Sequence, residues 1–217
     1  MKSYQIQKSL ILSFYDEIEA ANANSIAKVI RKFTKPDLQW YGVYPFNEQK
    51  GGDAVAEVFW IPFLSAWSNV QRRQDIFLAG TSEIDNADWV ISMGHFMGLL
   101  DGNWLGLPAS RKIAFLRYAD FNCIKDGKII RSSFFCDLIG LMHQLGLNPL
   151  PLQTGASFVY PGPRTHDGLL IEPQDQQESQ KTLKLVNQMI GDLTDLNKNE
   201  NDCPPPDLLT KTWHDDM

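Results

Sequence analysis

The chain has 217 residues, 43% of them hydrophobic and 21% charged. A chain of that size and composition folds as a globular protein that buries about 70% of its unfolded surface. The net charge of −6, from 20 basic and 26 acidic residues, argues against non-specific nucleic-acid binding, which needs a basic stripe.

Three cysteines, Cys123, Cys136 and Cys203, form no CxxC pair, a count that fits a reducing compartment better than a disulfide framework. No basic-then-apolar leader opens the chain. The longest apolar stretch, around Val58 to Trp67, contains Pro62 and is too short to cross a bilayer. A cytoplasmic protein without membrane contact is expected.

In chain order, residues 9–33 read as two helices. Leu10, Phe14 and Ile18 make the first stripe, with Ile11 and Tyr15 beside them. Ile26, Val29, Ile30 and Phe33 make the second, capped by Asn24 or Ser25 and ended by Pro36. Leu38–Tyr44 suits a short strand. Gly51-Gly52 breaks the chain, and Asp53 can cap a third helix carrying Val55, Val58 and Phe59. Strands follow near Arg72–Ala79, Trp89–Leu100, Lys112–Lys125 and Lys128–Asp137, then a short helix, Leu138–Leu145. Helices first and adjacent strands afterwards predict an α+β fold with an antiparallel sheet.

Asp126-Gly127 signals a two-residue hairpin turn. A regular ladder from it sets Lys125 opposite Lys128, Asn122 opposite Arg131, Asp120 opposite Ser133, Tyr118 opposite Phe135 and Leu116 opposite Asp137. One face then carries Tyr118, Asp120, Asn122, Arg131, Ser133 and Asp137, with Arg131 placed to pair with Asp120. The other carries Phe115, Arg117, Ala119, Phe121, Phe134 and Cys136. The polar face is either a solvated surface or the floor of a pocket in which a carboxylate of raised pKa moves protons.

Residues 1–150 form the expected domain. The rest, 151–217, reads as a Pro-rich linker with one amphipathic helix, about Ser179 to Leu193. The closing Trp213-His214-Asp215-Asp216-Met217 resembles the opening of the first strand, Asp37-Leu38-Gln39-Trp40-Tyr41-Gly42, as if a second copy began there. No phosphate loop, GxGxxG, GxSxG or HExxH is present, and the four histidines lack metal-ligand spacing. Trp40, Trp60, Trp67, Trp89 and Trp104 either fill the core or wall a pocket. His95, between Gly94 and Gly98 in a strand pattern, is either a hydrogen-bonded structural histidine or a site residue.

Three segments together carry a resemblance. They are Gly106-Leu107-Pro108-Ala109-Ser110 before a long strand, Asp126-Gly127-Lys128-Ile129 at the hairpin, and Asp137-Leu138-Ile139-Gly140-Leu141-Met142-His143-Gln144-Leu145-Gly146. Over about residues 8 to 150 the chain resembles SnoaL-like polyketide cyclases of the nuclear transport factor 2-like superfamily. The resemblance implies a cone-shaped α+β barrel, with N-terminal helices closing over a curved antiparallel sheet. It implies an intramolecular aldol condensation without a cofactor or metal, and it maps the general acid/base aspartate onto Asp137.

The resemblance has departures. Asn122 stands where the family often has His, Arg131-Ser132-Ser133 replaces Glu-His-Trp, Ser110-Arg111 replaces Thr-Gly, and Gly94-His95-Phe96 replaces Gly-Thr-His. The 161–168 segment also resembles the linker of tandem two-domain members.

Three readings follow. In the first, Asp137, with Asp120 and Asn122, acts on a small hydrophobic carbonyl compound held by Trp40, Tyr44, Trp60, His95, Trp104 and Tyr118. The second is a non-catalytic domain that binds a small molecule. In the third, aromatic side chains fill the pocket and the other sheet face forms a homodimer.

Overall fold

The computed structural model describes residues 3–151, 162–163, 165–198 and 211–212. It separates into two compact units, residues 2–172 and residues 173–217 together with Met1. In the first, α1 (Gln5–Glu19) and α2 (Ile26–Phe33) are followed by β1 (Thr34–Gly42) and β2 (Glu48–Lys50). A continuous helical run comes next: α3 (Gly52–Val55), a π-helical turn (Ala56–Trp60) and α4 (Ile61–Ala66). Four strands then succeed one another, β3 (Trp67–Thr81), β4 (Asp88–Leu100), β5 (Ile113–Lys125) and β6 (Lys128–Cys136), before α5 (Leu138–Gln144).

The expected helices form because their apolar stripes have somewhere to go. Ile11, Phe14, Tyr15 and Ile18 of α1, and Ile26, Ile30 and Phe33 of α2, are all buried in one core cluster. Helix α2 ends at Phe33, before Pro36. Pro36 lies inside β1, where pairing with β6 is interrupted between Thr34 and Gln39. A residue without an N–H is tolerated at such a break in the ladder. Asp53 does not cap; it lies in the first turn of α3 and pairs with Arg31.

The sheet order is β2-β1-β6-β5-β4-β3. All neighbours run antiparallel except β1 and β6, which are parallel. The expected α+β arrangement is present, with a mixed sheet in place of a wholly antiparallel one. The parallel pair arises because β1 enters the sheet directly from α2 and lies beside the last strand.

At the hairpin, Asp126 (φ 52°) and Gly127 (φ 67°) both take the left-handed conformation that the tight turn needs, and Lys125 faces Lys128. One bulge then changes the register. Ile124 pairs with Ile129 but Cys123 pairs with Arg131, so Ile130 is an extra residue in β6. Beyond it, Asn122 faces Ser132, Asp120 faces Phe134 and Tyr118 faces Cys136. Every β6 residue past the bulge therefore lies on the face opposite to that expected of a regular ladder. Phe134 is buried inside, whereas Phe135 is half-exposed outside, edge-on to Phe121.

The core lies between this inner sheet face and the helices. Its centre is aromatic: the Phe59 ring sits 5.0 Å from Phe46, 5.0 Å from Trp60, 5.4 Å from Phe63 and 4.8 Å from Phe134. The wider π-helical turn brings both Phe59 and Trp60 to the buried side.

The compact unit extends past residue 150. Gly168 to Leu170 adds to the outer edge of β3, with Phe77 N–H donating to Gly168 O at 2.8 Å and Leu170 N–H to Phe77 O at 2.7 Å. The expected tail helix is α6 (Gln176–Lys198), longer at both ends than its apolar stripe. Residues 213–217, on which the second-copy reading rests, lie outside the described residues. Among the described residues no helix is long and apolar enough to cross a membrane.

Candidate active site

On the inner face of β5, alternation sets Tyr118, Asp120 and Asn122 side by side, and all three are buried. Asp120 is the hub. Tyr15, in the α1 stripe, donates its hydroxyl to Asp120 Oδ2 at 2.8 Å. Asn122 Nδ2 donates to Tyr15 Oη at 3.4 Å, and Ser132 Oγ donates to Asp120 Oδ1 at 3.4 Å. A second group joins Ser92 Oγ and Tyr118 Oη at 2.9 Å, with Gln74 Nε2 donating to Ser92 Oγ at 3.0 Å.

The cation at this site is Arg72, from β3. Its Nη1 lies 3.9 Å from Asp120 Oδ2, and both side chains are almost wholly buried. The guanidinium also lies 3.7 Å from the Tyr15 ring centre and 4.6 Å from those of Phe96 and Tyr118. Arg131, expected as the partner of Asp120, lies on the outer face because of the bulge. It pairs there with Asp85 and packs over Trp89.

Burial raises the Asp120 pKa, and Arg72 with the three hydrogen-bond donors opposes that rise without cancelling it. Burial pushes the Tyr15 hydroxyl well above its ordinary value, and Asp120 adds to the effect. Burial pulls Arg72 down, but Tyr118, Tyr15 and Asp120 outweigh it, so the guanidinium stays charged. The set is thus one permanent cation, one phenol held neutral and one carboxyl shifted towards the neutral form.

Two cavities adjoin this network. A pocket of about 370 Å³ opens between the end of α1, α4 and the start of β3; Tyr15, Trp60, Trp67, Arg72 and Phe96 are among its walls. A smaller void of about 20 Å³, walled by Trp40, Trp60, Asp120, Asn122, Ser132 and Phe134 among others, lies deeper. Trp60 borders both. Volumes above about 300 Å³ are typical of small-molecule sites, whereas 20 Å³ holds about one water.

Of the residues singled out from sequence, Asp120, Asn122, Tyr118, Trp40 and Trp60 come together here. Trp104 is buried in the aromatic core against Phe46 and Phe63 and borders neither cavity. Tyr44 is 82% exposed in the turn after β1 and cannot wall an interior pocket. His95 lies on the outer face, opposite Arg117, with Nδ1 3.3 Å from Asp75. Burial lowers its pKa, against the pull of Asp75.

Asp137 is also away from the hub. Its carboxylate accepts the Gly140 N–H at 2.7 Å and caps α5, beside Arg117 and Phe135. The Gln144 that follows is structural as well: it donates to Phe115 O at 2.7 Å and accepts from Phe115 N–H at 2.8 Å. The site residues that sequence reasoning missed are Tyr15, Arg72 and Ser132. Among the described residues no three His, Cys, Asp or Glu side chains gather as metal ligands.

No family model and no curated sequence matches the chain. Solved structures do. A candidate SnoaL-like polyketide cyclase from Jannaschia sp. CCS1 aligns with a TM-score of 0.54 at 20% identity, over 68% of this chain and 95% of its own. IdmH, a candidate polyketide cyclase from Streptomyces antibioticus, aligns at 0.52 and 12% identity, over 64% and 97%. AclR, a candidate hydroxylase from Streptomyces galilaeus, aligns at 0.51 and 20% identity, over 67% and 88%. At these identities the likeness establishes the fold.

Proposed function

We propose that this chain, which has the SnoaL-like fold of the nuclear transport factor 2-like superfamily, is a cofactor-free enzyme that moves a proton on a small hydrophobic carbonyl compound, with Asp120 as its acid/base. The observation that carries this reading is the Tyr15–Asp120 hydrogen bond of 2.8 Å, made by a tyrosine that also walls the aromatic pocket. Asp120 faces the smaller void, while Tyr15 reaches the open pocket. The phenol is therefore the route by which a proton passes between ligand and carboxylate.

In the forward step, a C–H next to the ligand carbonyl loses its proton to Tyr15 Oη as the Tyr15 proton passes to Asp120 Oδ2. The C–H electron pair moves onto the carbonyl oxygen as an enolate. Reversing the relay at another carbon gives an isomer; attack of the enolate carbon on a second carbonyl, followed by protonation of the new alkoxide, closes a ring. No co-reactant is consumed. A carboxyl whose pKa is raised above the ordinary carboxylate value is the better proton acceptor for it. The candidate cyclases with the same fold lend support to ring closure as the outcome. Asp137, committed to the α5 cap, is left out of this chemistry.

The test is exchange of the α-protons of 2-tetralone into D2O, followed by proton NMR. Acceleration over buffer supports the enzyme. A second reading, ligand binding without chemistry, draws on the 20 Å³ size of the void beside Asp120. It predicts that 2-tetralone binds but exchanges no faster than in buffer.

A further inference from the structure

We propose that the 370 Å³ pocket is a receptor for an aromatic carboxylate, with Arg72 and the indole N–H of Trp67 as the groups that hold its anionic end. This deepens the acid–base reading and takes the location of the site from it.

The pocket wall carries unfilled hydrogen-bonding capacity. Arg72 and Trp67 both wall the pocket. Arg72 Nη1 and Nη2 and Trp67 Nε1 are buried and have no hydrogen-bond partner among the described residues. A buried donor without an acceptor is destabilising, and more so when it is charged. All three of these atoms, on residues of the pocket wall, are donors, so what they lack is an acceptor. Asp120 does not supply it. Its nearest approach to Arg72 is 3.9 Å, and its oxygens already accept from Tyr15 and Ser132.

Charge points the same way. Arg72 is a permanent cation, burial works against the charge on Asp120, and that carboxyl comes no nearer to the guanidinium than 3.9 Å. Glu19, also on the pocket wall, accepts the Arg72 backbone N–H at 3.3 Å. It lies against the main chain and not the guanidinium. A planar carboxylate matches the guanidinium fork, and the Trp67 indole N–H is the further donor that the wall residues supply. Trp60, Trp67 and Phe96 offer ring faces and edges to an aromatic body. The volume, at the low end for ligand sites, suits one or two fused rings.

Titration calorimetry with 2-naphthoate and its neutral isostere 2-naphthamide tests this. The acid is expected to bind the wild-type chain at least about tenfold more tightly than the amide, as an added charged hydrogen-bond pair implies. In Arg72→Gln the two should bind within about twofold of each other. Because Arg72 is stacked among rings and its variant can fail to fold, Trp67→Phe supplies the second arm. It keeps the packing, loses only the N–H, and should weaken 2-naphthoate about threefold or more.

Equal affinity of acid and amide for the wild type, binding of neither, or an undiminished preference in a folded Arg72→Gln each overturns the proposal. So does unchanged 2-naphthoate binding in Trp67→Phe. Asp120→Asn keeps the receptor apart from the chemistry, since it should retain or strengthen the preference for the acid. Preference without Asp120-dependent exchange would sink only the mechanism. Exchange that depends on Asp120 without preference would sink only the receptor.

Discussion

Tyr15 and Asp120 stand 105 positions apart in the chain, yet the phenol of the first helix donates to the carboxylate of the fifth strand at 2.8 Å. That bond ties α1 to the inner sheet face and gives a buried carboxyl its link to the open pocket. Burial alone would hold Asp120 neutral; the Tyr15 and Ser132 donors and the nearby Arg72 restrain that shift.

Tyr15→Phe keeps the ring that packs on Arg72 and removes the hydroxyl. It should slow α-proton exchange by about 10²-fold or more, the scale of a lost acid–base partner. It should also cost about 1–3 kcal/mol in urea unfolding, because a buried carboxylate oxygen loses its best donor. Unchanged exchange in this variant would remove the phenol from the route.

The raised Asp120 pKa fixes the sign of two pH effects. The relay needs the carboxylate form, so exchange should rise with pH through the folded-state value and then level. Stability moves the other way. Between the unfolded value of about 3.9 and the raised folded value, the native state binds the extra proton, so the stability linked to this group falls as pH rises. Asp120→Asn should gain stability relative to wild type across that window. Parallel urea titrations of both proteins at a series of pH values read this directly.

Asp137 gives a prediction that separates capping from chemistry. Asp137→Ala loses the acceptor for the Gly140 N–H and should cost about 0.5–2 kcal/mol, whereas Asp137→Asn, with an equally good capping side chain, should cost little. A large loss in the Asn variant would mean that the charge, and not the cap, matters there.

The aromatic core should be intolerant at its centre. Phe59 is fully buried and touches rings from β1–β2, the helical run and β6. Phe59→Ala should lose about 3–5 kcal/mol in thermal or urea unfolding. A loss under about 1 kcal/mol would mean that the cone collapses around the missing ring.

Much of this was legible in the sequence. The helical stripes, the Asp126-Gly127 turn and the alternation of Tyr118, Asp120 and Asn122 depend on local periodicity, and each is found where that periodicity sets it. The register of β6 was not, because the Ile130 bulge carries no Gly or Pro. Like residues stand in adjacent pairs along the whole strand (Ile129-Ile130, Ser132-Ser133, Phe134-Phe135), so alternation does not mark the extra residue.

Arg72 was missed because Arg72-Arg73 reads as a solvated pair at a strand start. Only the pleat, by sending Arg72 inward and Arg73 outward, tells them apart. Tyr15 was hidden in an apolar stripe where its hydroxyl left no mark. Asp137 shows the limit of carrying a role over by motif: the residues match, but here the carboxylate caps a helix.

The most direct measurement compares 2-tetralone α-proton exchange in wild type, Asp120→Asn and Asp137→Asn, each first shown to fold by circular dichroism. Asp120→Asn should lose about 10²-fold or more of the acceleration, while Asp137→Asn stays within about twofold of wild type. Full exchange in Asp120→Asn, or its loss in Asp137→Asn, would contradict the account and return the chemistry to the end of β6.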